Sequence, residues 1–153
     1  MNKEHLLVKQ VAALVDGEEN LIANLANTAA LLYNNLPDVS WSGFYCYHPQ
    51  NQQLILGPFQ GNPACTRIAA GKGVCGQAWQ QEKTIVVPDV HQFAGHIACD
   101  AATNSEIVIP LKNTQTTWGV LDLDSTSFSR FSSLEQTFLE EIAEIIGSLN
   151  KTA

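Results

Sequence analysis

The apolar positions of this chain change period along its length. Through residue 35 they recur at helical spacing, with Leu7, Val11, Leu14 and Val15 on one stripe and Leu21, Leu25, Ala29 and Leu32 on another. Asp16-Gly17-Glu18-Glu19 between the stripes has capping-box spacing, so the helix is expected to break and restart there. Pro37 ends the second helix. Residues 39–47 and 53–59 then read as strands about a turn at His48-Pro49-Gln50-Asn51. Residues 60–83 are glycine-containing, with a short helix expected at Gly76–Gln81. A strand over Thr84–Val87 stops at Pro88, and an irregular stretch runs on to about Ser105.

The clearest strand pair is Glu106–Leu111 with Thr116–Asp124, reversing at Lys112-Asn113-Thr114-Gln115. Ser132-Ser133-Leu134-Glu135 has capping-box spacing and opens a last helix whose stripe is Leu134, Phe138, Ile142, Ile145 and Leu149. Helices at both ends of an antiparallel sheet predict an α+β domain spanning residues 1–153. The terminal helices should cover one face of the sheet, leaving the loops to form a ligand pocket on the other. At 153 residues such a domain buries about 68–70% of the surface its unfolded chain exposes and needs no disulfide or metal to fold.

In that strand pair, residues two apart share a face. Ile107, Ile109 and Leu111, with Gly119, Leu121 and Leu123, make a face for the helices. Glu106, Val108 and Pro110, with Trp118, Val120, Asp122 and Asp124, look the other way. A turn near Thr114 places Glu106 opposite Asp122, so Glu106, Asp122 and Asp124 gather at one end of the sheet. Carboxylates so close cannot all ionise cheaply, and a carboxylic acid that keeps its proton at neutral pH is a proton donor. The plainer alternative is that Asp122, Asp124 and Ser125 simply begin a turn.

Charge narrows the possible partners. A net charge of −7 lacks the basic footprint that nucleic acid requires. No stretch approaches the roughly 20 apolar residues of a membrane span, and Met1-Asn2-Lys3-Glu4-His5 does not resemble a secretion signal. The cysteines are then expected as thiols in a reducing cytoplasm.

Of the four cysteines, Cys46 lies among aromatic residues in a strand and reads as packing. Cys65, Cys75 and Cys99 occur in polar, glycine-rich surroundings, where thiolate chemistry is the natural reading. No C-x-x-C spacing is present, and His91 and His96 are wrongly spaced to complete a structural zinc site with them, so no metal is expected. His96, three residues before Cys99, would favour a thiolate there, whereas Asp100 would oppose it. Spacing alone ranks Cys99 only slightly above Cys75 as a nucleophile.

Several segments resemble the free methionine-(R)-sulfoxide reductases, a family built on a GAF domain. They are Ser40-Trp41-Ser42-Gly43-Phe44-Tyr45, Gly71-Lys72-Gly73-Val74-Cys75-Gly76, Pro88-Asp89-Val90 and Gly95-His96-Ile97-Ala98-Cys99-Asp100, followed by Ser105–Pro110 and Gly119–Ser125. The resemblance runs from about residue 5 to residue 149, and its three-cysteine spacing is specific. It implies Cys99 as nucleophile, Cys65 as the usual resolving partner and Cys75 as an alternative. It further implies that Glu106, Asp122 and Asp124 bind and protonate the sulfoxide end of free methionine (R)-sulfoxide, with Trp41 near its methyl group. Recycling by thioredoxin, no cofactor and a homodimer follow from the same resemblance. The competing expectation is a GAF module that binds a small molecule without catalysis.

Overall fold

The computed structural model describes residues 2–152. Helix α1 (Lys3–Val15) starts at Asn2, whose side chain accepts from the His5 amide, and it buries Leu7, Val11 and Val15 while Leu14 faces outward. Helix α2 (Leu21–Asn35) is capped by Asn20, which accepts from Ala23 N at 2.9 Å, so the restart lies just beyond the Asp16–Glu19 segment. Strands β1 (Trp41–His48) and β2 (Gln53–Gln60) form the expected hairpin. A short β3 (Arg67–Ala69), absent from the sequence reading, pairs with β2.

Helix α3 (Gly73–Gln81) begins three residues earlier than expected, which makes Cys75 a buried helical residue rather than a loop thiol. Close approach to β3 accounts for Gly76, where a Cβ would lie 2.6 Å from the Ala69 carbonyl oxygen. Strand β4 (Ile85–Val87) and a single 3-10 turn, Val90–Gln92, precede β5 (Ser105–Lys112) and β6 (Thr117–Ser125). Helix α4 (Ser133–Gly147) opens with the expected capping box, Ser132 with Glu135. Its buried stripe is Phe138, Leu139, Ile142, Ala143 and Ile146, and Leu134 is exposed.

The six strands lie in the order β3-β2-β1-β6-β5-β4, every neighbour antiparallel. Helices α1, α2 and α4 cover one face, burying Phe44, Ile107, Ile109, Leu121 and Leu123. The opposite face carries a second apolar cluster of Trp41, Tyr45, Val108 and Val120 under α3 and the loops. The pocket side is therefore roofed by a helix as well as by loops.

Two details of the β5–β6 pair differ from the sequence reading. Glu106 pairs with Asp124, and Asp122 pairs with Val108, a shift of two residues that keeps all three carboxylates on their expected face. A bulge between Leu111 and Lys112 then turns Trp118 to the helix side, where its indole N–H donates to the Gly147 carbonyl at 2.9 Å.

Candidate active site

The sheet builds the floor of the site by register. Trp41 on β1 pairs with Asp124 on β6, which pairs with Glu106 on β5, so the three form one row across neighbouring strands. Asp122 stands two residues along β6 on the same face. All four side chains line a narrow cavity of about 40 Å³.

The roof comes from three segments. Helix α3 contributes Cys75, whose thiol donates to Asp122 Oδ2 at 3.4 Å. The β2–β3 connection contributes Cys65, and the loop before β5 contributes Cys99. These two are joined in a disulfide across 34 residues of sequence, with Cα atoms 5.3 Å apart. Both bridged residues are half-buried, so the bond sits at the mouth of the cavity, whereas Cys75 is sealed inside.

Burial dominates the electrostatics of the floor. It pushes the Glu106 carboxyl well above the usual carboxylate range, and charge on Asp122 pushes it further. The same holds for Asp122, first through burial and then through Asp124, and for Asp124, through burial and then Glu106. Among the described residues, no hydrogen-bond partner meets the buried Oδ1 atoms of Asp122 and Asp124. A cluster of this kind retains protons at neutral pH rather than carry every charge in an apolar setting. Burial, then the charges of Asp122, Glu106 and Asp124, also raises the Cys75 thiol, which leaves it a poor nucleophile.

Every site residue singled out in the sequence thus converges here: Trp41, Cys65, Cys75, Cys99, Glu106, Asp122 and Asp124. His96 also lines the cavity, but its pKa is lowered by desolvation and then by His91, which weakens it as a charged partner for Cys99. His91 instead bonds through its ring to Asn104 at 2.9 Å. Among the described residues, the ligand atoms of Cys75, Glu106 and Asp122 lie within 4.8 Å of one another and form a group that could hold a cation. The remaining free thiol, Cys46, is pushed up to about 11 by burial, in keeping with packing.

Two wall residues escaped the sequence reading. Thr103 is buried at the cavity with an unpartnered hydroxyl, and nothing in its sequence context marks it. Tyr45 donates its hydroxyl to the Cys65 carbonyl at 2.9 Å. Its signal was available, since it shares a strand face with Trp41.

The GAF domain family model matches residues 8–148. The free methionine-R-sulfoxide reductase of Escherichia coli is 48% identical over 145 residues, covering 93% of this chain and 87% of the relative. The Neisseria meningitidis free methionine-R-sulfoxide reductase, solved in complex with its substrate, superposes with a TM-score of 0.90 at 42% identity, covering 96% of this chain and 89% of that one. A substrate complex of the Staphylococcus aureus fRMsr gives 0.89 at 48% identity, covering 96% and 95%.

Proposed function

The chain belongs to the GAF-domain family and, within it, to the free methionine-R-sulfoxide reductases, and from that premise we infer that it reduces free methionine (R)-sulfoxide to methionine by thiol chemistry. The observation that carries this reading is the Cys65–Cys99 bridge at the mouth of a cavity floored by proton-holding carboxyl groups. We take residues 1–153 as one catalytic unit.

A sulfoxide sulfur becomes electrophilic when its oxygen receives a proton. Glu106, raised by burial and by Asp122, is the proposed donor, with Asp122 and Asp124 orienting the ligand. The Cys99 thiolate bonds to the sulfur of the protonated sulfoxide, and the hydroxyl oxygen then passes to the Cys99 sulfur as the S–O bond and the new S–S bond both break. Methionine leaves, and Cys99 is left as a sulfenic acid. The Cys65 thiol then attacks the Cys99 sulfur, forming the disulfide and releasing water. Cys75 is the weaker candidate for this step because its proton is held by burial and by the acids.

A dithiol protein, thioredoxin, restores both thiols by exchange and is itself oxidised. The scheme asks for no metal, flavin or nucleotide. Trp41, stacked on Phe59 with centroids 5.2 Å apart, offers an aromatic wall to the methyl–sulfur end. The acidic floor suits a free α-ammonium group, and the roof of α3 and loops suits a free amino acid over a polypeptide. A cytoplasmic setting and a homodimer complete the proposal.

The test is chiral product analysis with thioredoxin, its reductase and NADPH, supplied with separate R and S epimers of free methionine sulfoxide and a blocked R substrate. Methionine is expected from the free R epimer alone. No turnover of either epimer, with recycling shown active, would favour ligand binding without catalysis.

A further inference from the structure

We propose that Tyr45 is a positioning residue for the disulfide-forming step, its hydroxyl holding the backbone of Cys65 so that the Cys65 sulfur reaches oxidised Cys99. This rests on the reading of Cys65 as the resolving thiol.

The segment carrying Cys65 has no regular structure of its own. It connects β2, ending at Gln60, to β3, starting at Arg67, and Asn62, Pro63 and Thr66 are exposed. Its position is nevertheless fixed at successive points. The Trp41 indole N–H donates to the Asn62 carbonyl at 3.0 Å, the Tyr45 hydroxyl to the Cys65 carbonyl at 2.9 Å, and the Leu56 amide to the Thr66 carbonyl at 3.0 Å. The side-chain anchors come from one face of β1, at positions four apart, and their rings stack with centroids 6.0 Å apart.

Of these anchors, Tyr45 acts on the cysteine itself. Its ring is fixed, since Tyr45 is 2% exposed and its backbone pairs with Leu56 on one side and Val120 on the other. Burial and then the charge of Asp122 raise the phenol, so it stays a donor across the working pH range. An attacking sulfur must lie in line with the sulfenic S–O bond, and a misplaced carbonyl carries its Cβ and Sγ with it. A sub-ångström error in such an approach is costly in rate. Without the hydroxyl the Cys65 segment retains its flanking anchors but loses the central one.

The experiment uses Tyr45→Phe, which keeps the ring and removes one oxygen. Single-turnover mixing of the reduced protein with free methionine (R)-sulfoxide reads methionine formation and disulfide formation separately, and dimedone traps the Cys99 sulfenic acid between them. Loss of one neutral hydrogen bond on the attacking group predicts disulfide formation slowed about tenfold relative to methionine formation. More dimedone adduct is expected at early times. In a Cys65→Ser background, Tyr45→Phe is expected to leave the lifetime of the sulfenic acid unaltered, because the group it positions is gone.

An unchanged ratio of the two steps in Tyr45→Phe overturns the proposal. So does equal slowing with and without Cys65, which would make Tyr45 a general support of the pocket. If Cys65→Ser alone forms a disulfide at the wild-type rate, the underlying assignment of Cys65 fails, and that result is separate from either Tyr45 outcome.

Discussion

The thiol of Cys75 donates to Asp122 Oδ2 at 3.4 Å, and both side chains are buried beneath the Cys65–Cys99 bridge. The bond joins the roof helix to the acidic floor and keeps hydrogen on sulfur. Reactivity toward alkylating agents follows thiolate fraction and access. In the reduced native protein, iodoacetamide is therefore expected to label Cys99 and Cys65 well before Cys75. Peptide mass analysis at short times checks the order, and labelling of Cys75 ahead of Cys65 would undo the assignment of roles.

The acids on the floor make stability depend on pH in a defined direction. In the unfolded chain they ionise in the ordinary carboxylate range, whereas burial in the fold holds their protons to higher pH. Above the unfolded range the unfolded state binds fewer protons than the native one, so stability falls as pH rises until the folded groups also ionise. Each tenfold difference in proton affinity costs about 1.4 kcal/mol, or about 3–6 °C of Tm for a domain of this size. Glu106→Gln keeps the shape and removes one ionisation. It is expected to raise Tm near neutral pH and flatten its pH slope, while lowering turnover by about 10²–10⁴. Thermal unfolding across a pH series checks the sign, and a lower Tm at neutral pH would count against it.

What the sequence disclosed followed from short-range periodicity. Alternation along β5 and β6 put Glu106, Asp122 and Asp124 on the face away from the helices, and a shift in pairing from Asp122 to Asp124 left them there because it was an even number of residues. The bulge at Leu111/Lys112 turned Trp118 to the other face, and alternation alone does not foresee an inserted residue. Cys75 looked like a loop thiol because Gly71, Gly73 and Gly76 surround it. Only the packing of α3 against β3, with Gly76 against the Ala69 carbonyl, shows why those glycines belong to a buried helix start. Thr103 acquires its place from the tertiary fold and had no pattern to betray it.

Helix α4 tests whether stability and catalysis separate. Ser132 accepts from the Glu135 amide at 3.2 Å, Glu135 accepts from the Ser132 amide at 3.0 Å, and Arg130 forms an ion pair with the same Glu135. Ser132→Ala removes one half of the capping box, on the face of the sheet opposite the cavity. The expected cost is about 1 kcal/mol, with kcat/KM unchanged at a temperature where the variant is folded. Calorimetry beside the turnover assay decides the matter, and a fall in kcat/KM without a fall in Tm would tie α4 to the site.

The bridge itself governs access to the floor. With Cys65 joined to Cys99, the cavity holds about 40 Å³, room for a few water molecules. A cavity this narrow, with the bridge at its mouth, is expected to admit methionine sulfoxide poorly. The disulfide ties the Cys65 segment to the Cys99 loop beside the carboxyl groups, so oxidation and ligand binding are expected to exclude one another. On that expectation the oxidised protein takes up sulfoxide only after a dithiol has opened the bridge. Isothermal titration of free methionine (R)-sulfoxide checks this with two proteins: reduced Cys99→Ser, expected to bind without turnover, and the wild-type disulfide form. Binding is expected for the first and at least about a hundredfold weaker binding, a difference of about 2.7 kcal/mol, for the second. Equal affinity in the two forms would place the ligand outside this cavity.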